Sequence, residues 1–162
     1  MRTLPKETLD PKALTVWRIR GIISSLIFAL IPLIYITIAA IGFLPIPPSW
    51  VIVIILLLII FQAVSAIAFI PSLRLRYWRY EVTEHEIDLY RGIFIRTRTL
   101  IPMTRVQHVD TREGPLYRHY NLAAVVISTA ATQHEIPALS SEIANELRDR
   151  ISELALVVED DV

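Results

Sequence analysis

Apolar and polar positions fall into two regimes along the chain. Residues 21–73 contain no Asp, Glu, Lys, Arg or His. Within them, two apolar runs cover about residues 21–43 and 51–70, joined by Leu44-Pro45-Ile46-Pro47-Pro48-Ser49-Trp50. A helix rises about 1.5 Å per residue, so each run reaches across a hydrocarbon layer roughly 30 Å thick. The pattern predicts a membrane hairpin. Pro32 falls mid-span and predicts a kink that a neighbouring helix compensates. Ser24, Ser25 and Gly42 let two helices approach closely. Two other readings of this stretch are a cleaved leader and a buried hairpin of a soluble protein. The first run is longer than a leader core of about 7–15 residues, and two uncharged full-length spans argue against the second.

Downstream, the period changes to two. Trp78, Tyr80 and Val82 alternate with Arg79, Glu81 and Thr83, then Ile87 and Leu89 alternate with Asp88 and Tyr90. This predicts strands with one buried face. Arg91-Gly92 predicts a tight turn into a return strand over residues 93–101, ended by Pro102. Residues 105–112 read as a strand whose alternation slips between Val106 and Val109, a bulge. Gly114-Pro115 breaks the chain before a short helical bend at residues 116–120. Residues 122–129 are nearly continuous apolar, as for a central strand, and residues 133–136 form a short strand stopped by Pro137. Ser140 or Ser141 then caps one amphipathic helix with Ile143, Leu147, Ile151 and Leu154 on its inner face.

Charge places these pieces. Lys and Arg total 16 and Asp and Glu total 16, which argues against a nucleic-acid partner. Basic residues flank the hairpin: Arg2, Lys6, Lys12, Arg18 and Arg20 before it, and Arg74, Arg76 and Arg79 after it. The link between the spans carries none, so both termini are expected in the cytoplasm. The expected organisation is a loose basic tail over residues 1–20, with a short interfacial helix at 13–20. The hairpin follows over 21–70, a cytoplasmic domain over 71–157 and an acidic tail over 158–162. The chain is 54% hydrophobic, with a mean hydropathy of +0.50. That excess lies almost wholly before Ser72, leaving residues enough for one small core.

The chemistry is sparse. The chain has no Cys, which excludes disulfides, thiolate ligands and Cys nucleophiles. His85, His108, His119 and His134 are scattered, and Ser128, Thr129 and His134 lack any oxyanion-hole pattern. No ionisable residue lies at membrane depth, which argues against an ion path or coupled transporter. The basic groups carry more. Arg74, Arg76 and Arg79 lie where charge orients a span and attracts anionic lipid. Arg96 and Arg98 are expected on one face of a strand near Arg91, either as a lipid-facing patch or as a solvated outer face.

The fold class is therefore a membrane α-helical hairpin followed by a small mainly-β domain with one C-terminal helix. Tyr80-Glu81-Val82-Thr83, Arg91-Gly92, Ile101-Pro102-Met103-Thr104-Arg105-Val106-Gln107-His108-Val109, Gly114-Pro115-Leu116-Tyr117-Arg118 and Ile136-Pro137 narrow it. Together they resemble the bacterial pleckstrin-homology-like (PH-like) domain family, and two spans followed by one such domain resemble YdbS-like membrane proteins. Asn121 stands where that pattern has Gly, and Asn tolerates positive φ. The resemblance implies a bent antiparallel β-barrel or sandwich capped by the helix, and a membrane-anchored binding or scaffold module. It implies no cofactor, no metal and no catalytic centre. It further implies a protein partner with PH-like domains, or a homo-oligomer. Arg105, Gln107, Arg112, Leu116, Tyr117 and Arg118 belong to the family-like motif. They are read either as a docking surface or, for Arg105 and Arg118, as a buried network with Asp110 or Glu113. A sensor of anionic head groups and a small enzyme or transporter are the competing classes.

Overall fold

The computed structural model describes residues 3–160, with side chains through Val157. It divides into two compact units. One comprises the residues up to Val16 together with those from Leu73 onward, and the other is Trp17–Ser72.

The apolar stretch forms two helical arms. Helix α1 runs Ala13–Ala40, continuous through Pro32. The expected interfacial helix is simply its first turns. Helix α2, Ser49–Val64, leads through a π-helical turn, Ser65–Phe69, into α3, Ile70–Tyr77. Both arms are long and apolar enough to cross a membrane. Leu26, Ile31, Leu57 and Phe61 are each more than half exposed, and α2 buries none of its residues. Water does not tolerate apolar surface on that scale, whereas lipid requires it. The arms meet where side chains are smallest. A Cβ on Gly21 would lie 2.5 Å from the Ala66 carbonyl oxygen. Ser25 returns its hydroxyl to the Gly21 carbonyl at 2.7 Å, so its side chain is satisfied within the helix.

The other unit is built from seven strands in two antiparallel sheets. The first sheet has the order β1-β2-β3-β4 and the second β5-β6-β7, with no closed barrel. Its first strand is β1, Glu7–Thr8, pairing with Tyr80 and Arg79 of β2, Arg79–Val82. The residues expected as a loose tail are thus part of the domain. Leu9, at 3% exposure, and Pro5 are core residues. Apolar side chains at these positions gain more by joining the sheet than a short linker loses in entropy. Arg2 lies outside the described residues. The hairpin is therefore inserted between two neighbouring strands of one sheet.

β2 shows the predicted alternation and pairs with β3, Glu86–Arg91, which pairs with β4, Thr97–Pro102. The return strand begins four residues later than its sequence suggests. Residues 93–96 form a turn, because Gly92 adopts φ +125 with the Ile95 carbonyl packed against its α-carbon. A 3-10 turn, Met103–Arg105, leads into β5, Val106–Arg112. β5 pairs with β6, Leu122–Thr129, and the register shifts between Val106 and His108, at the expected bulge. The short helix α4, Pro115–His119, precedes Asn121, which adopts φ 54. Leu122 to Ile127 are all buried.

β7, Gln133–Ser140, continues through Pro137 instead of stopping there. An edge strand tolerates a missing donor, and the β6–β7 register slips between Ala123 and Val125 beside it. Helix α5, Ser141–Asp160, packs on β5, β6 and the 3-10 turn. The Ile143 amide donates to the Ser140 hydroxyl at 3.3 Å, the predicted cap. The inner face is Ala144, Leu147 and Ile151, while Ile143 is exposed. The expected acidic tail is helical to Asp160, and Asp161 and Val162 lie outside the described residues.

Candidate binding surfaces of the domain

Two surface clefts collect the residues singled out by sequence. The first, of about 620 Å³, is lined by Arg74 and Tyr77 of α3, by Trp78, by the Arg91–Ile95 turn and by Glu135 and Pro137 of β7. Phe94 and Ile95 stand almost free at its rim, 96% and 82% exposed. The Arg96 guanidinium lies 5.5 Å above the Tyr77 ring, a cation–π distance. So Arg74 and Arg91 share one cleft, with Arg96 beside it. Arg76 is exposed on α3, and Arg79 is half-buried within β2.

Arg98 has a different setting from Arg96, with which it was expected to share a strand face. Its Nε donates to both Asp88 carboxylate oxygens, at 3.1 and 3.0 Å, and its Nη2 to the Thr3 carbonyl at 2.9 Å. The Asp88 side chain is only 10% exposed, so the fork supplies a buried carboxylate with its partner. That hydrogen bond holds the Arg98 pKa above its ordinary value. Arg96 belongs to the turn that follows Gly92 whereas Arg98 lies within β4, so the two do not share a strand face.

The second cleft, of about 750 Å³, runs between β5 and the end of α5. Thr104, Gln107, His108, Asp110 and Leu156 line it. β5 is an edge strand of its sheet. Of the motif residues, Gln107 alone lines this groove. Arg105, Arg112 and Arg118 are exposed, which corrects the buried-network reading of Arg105 and Arg118. Glu113 accepts instead from the Ser141 hydroxyl at 3.3 Å. Leu116 and Tyr117 are half-buried on α4, which packs on β6.

A family model described as a bacterial PH domain matches residues 21–155. The chain belongs to the bacterial PH domain family. It is 48% identical over 162 residues, 100% of each chain, to the UPF0699 transmembrane protein YdbS of Bacillus subtilis (strain 168). No solved structure matches it with significance. The family match begins at Gly21, downstream of β1, so the strand that completes the first sheet lies outside the matched region.

Two titratable groups of this bacterial PH domain are set by their surroundings. Tyr80, 2% exposed and paired with Glu7 across β1–β2, has its pKa pushed up to about 12, by burial first and by the Glu7 carboxylate second. His134, on β7, has its pKa lowered by burial and then by Arg91. Its Nδ1 is buried and has no hydrogen-bond partner among the described residues. Among the described residues no three His, Asp or Glu side chains form a metal-holding group.

Sequence reasoning missed Phe94 and Ile95 by placing them inside a strand. Three contiguous apolar residues directly after Arg91-Gly92 break the alternation that a half-buried strand requires, and that was the available signal. It also missed the groove beside Leu156, which depends on how α5 crosses β5.

Proposed function

We propose that this membrane protein is a binding and scaffold module of the inner membrane, with both termini cytoplasmic. It serves as a subunit of a complex whose partner carries PH-like domains, and it is not an enzyme. The observation that carries this reading is the outer edge of β5. Five residues of the edge strand, Val106 to Asp110, border a groove that Leu156 closes on the other side. An unpaired edge offers main-chain donors and acceptors to an added strand, and the groove beside it supplies side-chain selectivity. Tethering to the bilayer raises the effective concentration of such a contact. Basic residues on both flanks of the hairpin support the cytoplasmic orientation, and β1–β2 pairing requires both flanks on one side.

The test uses the chain's lack of cysteine. A His108→Cys variant carrying a photo-crosslinker in native membranes is expected to capture a chain with PH-like domains. Capture of nothing, with the protein running as a monomer at native expression, overturns the reading.

A second reading is contact with anionic head groups, favoured by Arg74 and Arg91 lining one cleft. Full-length protein in vesicles is the appropriate material, because a fragment beginning at Arg76 lacks β1 and Leu9. Enrichment of anionic over zwitterionic lipid around the reconstituted protein that is unchanged in Arg91→Gln and Arg96→Gln overturns it.

A further inference from the structure

We propose that the turn carrying Phe94 and Ile95 is an interfacial wedge. Its two apolar side chains sit at the headgroup–acyl boundary of the bilayer that the helices span, with Arg91 and Arg96 at the level of the lipid phosphates. The inference rests on the head-group reading and adds to it penetration of the apolar layer.

The exposure of these residues needs an occupant. Phe94 and Ile95 are the most exposed large apolar side chains of the described domain, at 96% and 82%. The turn that carries them is tight. Gly92, at φ +125, packs its α-carbon against the Ile95 carbonyl and leaves no room for a Cβ. The tight turn therefore holds the two side chains outward at a conformational cost that only glycine tolerates.

The surroundings name the occupant as lipid. Arg96 stacks on Tyr77, the last residue of the helix Ser49–Tyr77 that is apolar enough to cross the membrane. Tyr77 follows Ile70 by seven residues of α3, a rise of roughly 10 Å. The turn is thus held against Tyr77 at the end of α3, the helix that follows the second span in sequence. An apolar tip ringed by Arg91, Arg96 and Arg74 matches the layering of an anionic interface, with hydrocarbon beneath and phosphate above. Such a tip in water would be an aggregation liability.

The test is a depth measurement on the full chain. Single-cysteine Phe94→Cys, His85→Cys and Ala131→Cys variants carry a nitroxide, since no native cysteine competes. They are reconstituted in vesicles of phosphatidylglycerol and phosphatidylethanolamine. His85 and Ala131 are exposed in other turns and serve as aqueous references. The label at position 94 is expected about 5–10 Å below the phosphates, with an oxygen-to-nickel-chelate accessibility ratio several-fold above both references. The Phe94→Ser/Ile95→Ser variant, altered only at exposed positions, is expected to keep its melting temperature and to lower the enrichment of phosphatidylglycerol around the reconstituted protein. A position-94 label as open to nickel chelate as the references overturns the wedge. So does a label shielded equally in lipid-free amphipol, which reports a protein cover. Retained, Arg91-dependent enrichment of phosphatidylglycerol around the protein alongside an aqueous position 94 overturns the wedge alone and leaves head-group contact standing.

Discussion

The Asp10 amide donates to the Ala138 carbonyl at 3.1 Å, tying the segment before the hairpin to the last strand of the domain. Ala138 is fully buried and holds φ 52, a left-handed conformation. That conformation costs an L-residue about 1–2 kcal/mol. Replacing Ala138 by Gly removes the cost, but loses a buried methyl worth about 0.8 kcal/mol and adds backbone entropy of about 0.5–1 kcal/mol to the unfolded state. The terms cancel, so Ala138→Gly is expected within about 1 kcal/mol of the native chain. Ala123→Gly, equally buried with no positive φ to relieve, is expected to cost about 1–2 kcal/mol. Paired thermal melts in detergent check the contrast.

The N-terminal segment is a structural part of the domain. Leu9→Ala is expected to destabilise the fold by about 2–5 kcal/mol, as for a core leucine. Leu4→Ala, 55% exposed, is expected to stay within about 0.5 kcal/mol. Equal, negligible effects from both would restore a loose tail. Denaturant titration separates the outcomes.

Tyr80 makes the fold sensitive to strong base. Its folded pKa of about 12 exceeds the ordinary 10.0, so the fold favours the neutral phenol. That contribution is fully present below pH 10 and is lost as pH rises through about 12. Tyr80→Phe is expected to flatten the stability profile in that window, read as the difference between the two melting curves against pH.

His134 acts at the acid end. Burial and Arg91 lower its pKa from 6.5. The neutral ring is favoured in the fold, so its contribution is present above pH 6.5 and is lost as pH falls through the lowered folded value. His134→Gln is expected to reduce the acid-side loss. Arg91→Gln is expected to move the His134 titration upward, followed by ring-proton NMR.

Local periodicity carried most of this architecture. The uncharged stretch, the alternation in Tyr80 and Val82, the bulge after Val106 and the positive φ at Asn121 are each set by a few neighbouring residues. The parts that escaped are non-local. Nothing near Glu7-Thr8 shows that their partner is Arg79–Tyr80, because the two sides are separated by both membrane arms. Ala138 has no residue-type signature for its left-handed backbone. Arg98 reads as a surface base until Asp88 is seen opposite it. The clefts follow the same rule: Arg91 and Arg74 were identified individually, but their shared lining depends on how α3 approaches the β3–β4 turn.

Inserting the hairpin between β1 and β2 makes the domain a check on its own biogenesis. Both arms separate Thr8 from Arg79 in sequence, so β1 cannot complete the sheet until the chain beyond the hairpin has been made. If only one arm crossed, Thr8 and Arg79 would be stranded on opposite sides of the membrane. The first sheet would lack its edge strand, Arg98 would lose Thr3 and Ala138 would lose Asp10. A misinserted chain would thus present an incomplete, protease-sensitive domain, whereas a correctly threaded one completes its sheet. Completion of the first sheet therefore requires both flanks of the hairpin on one side of the membrane.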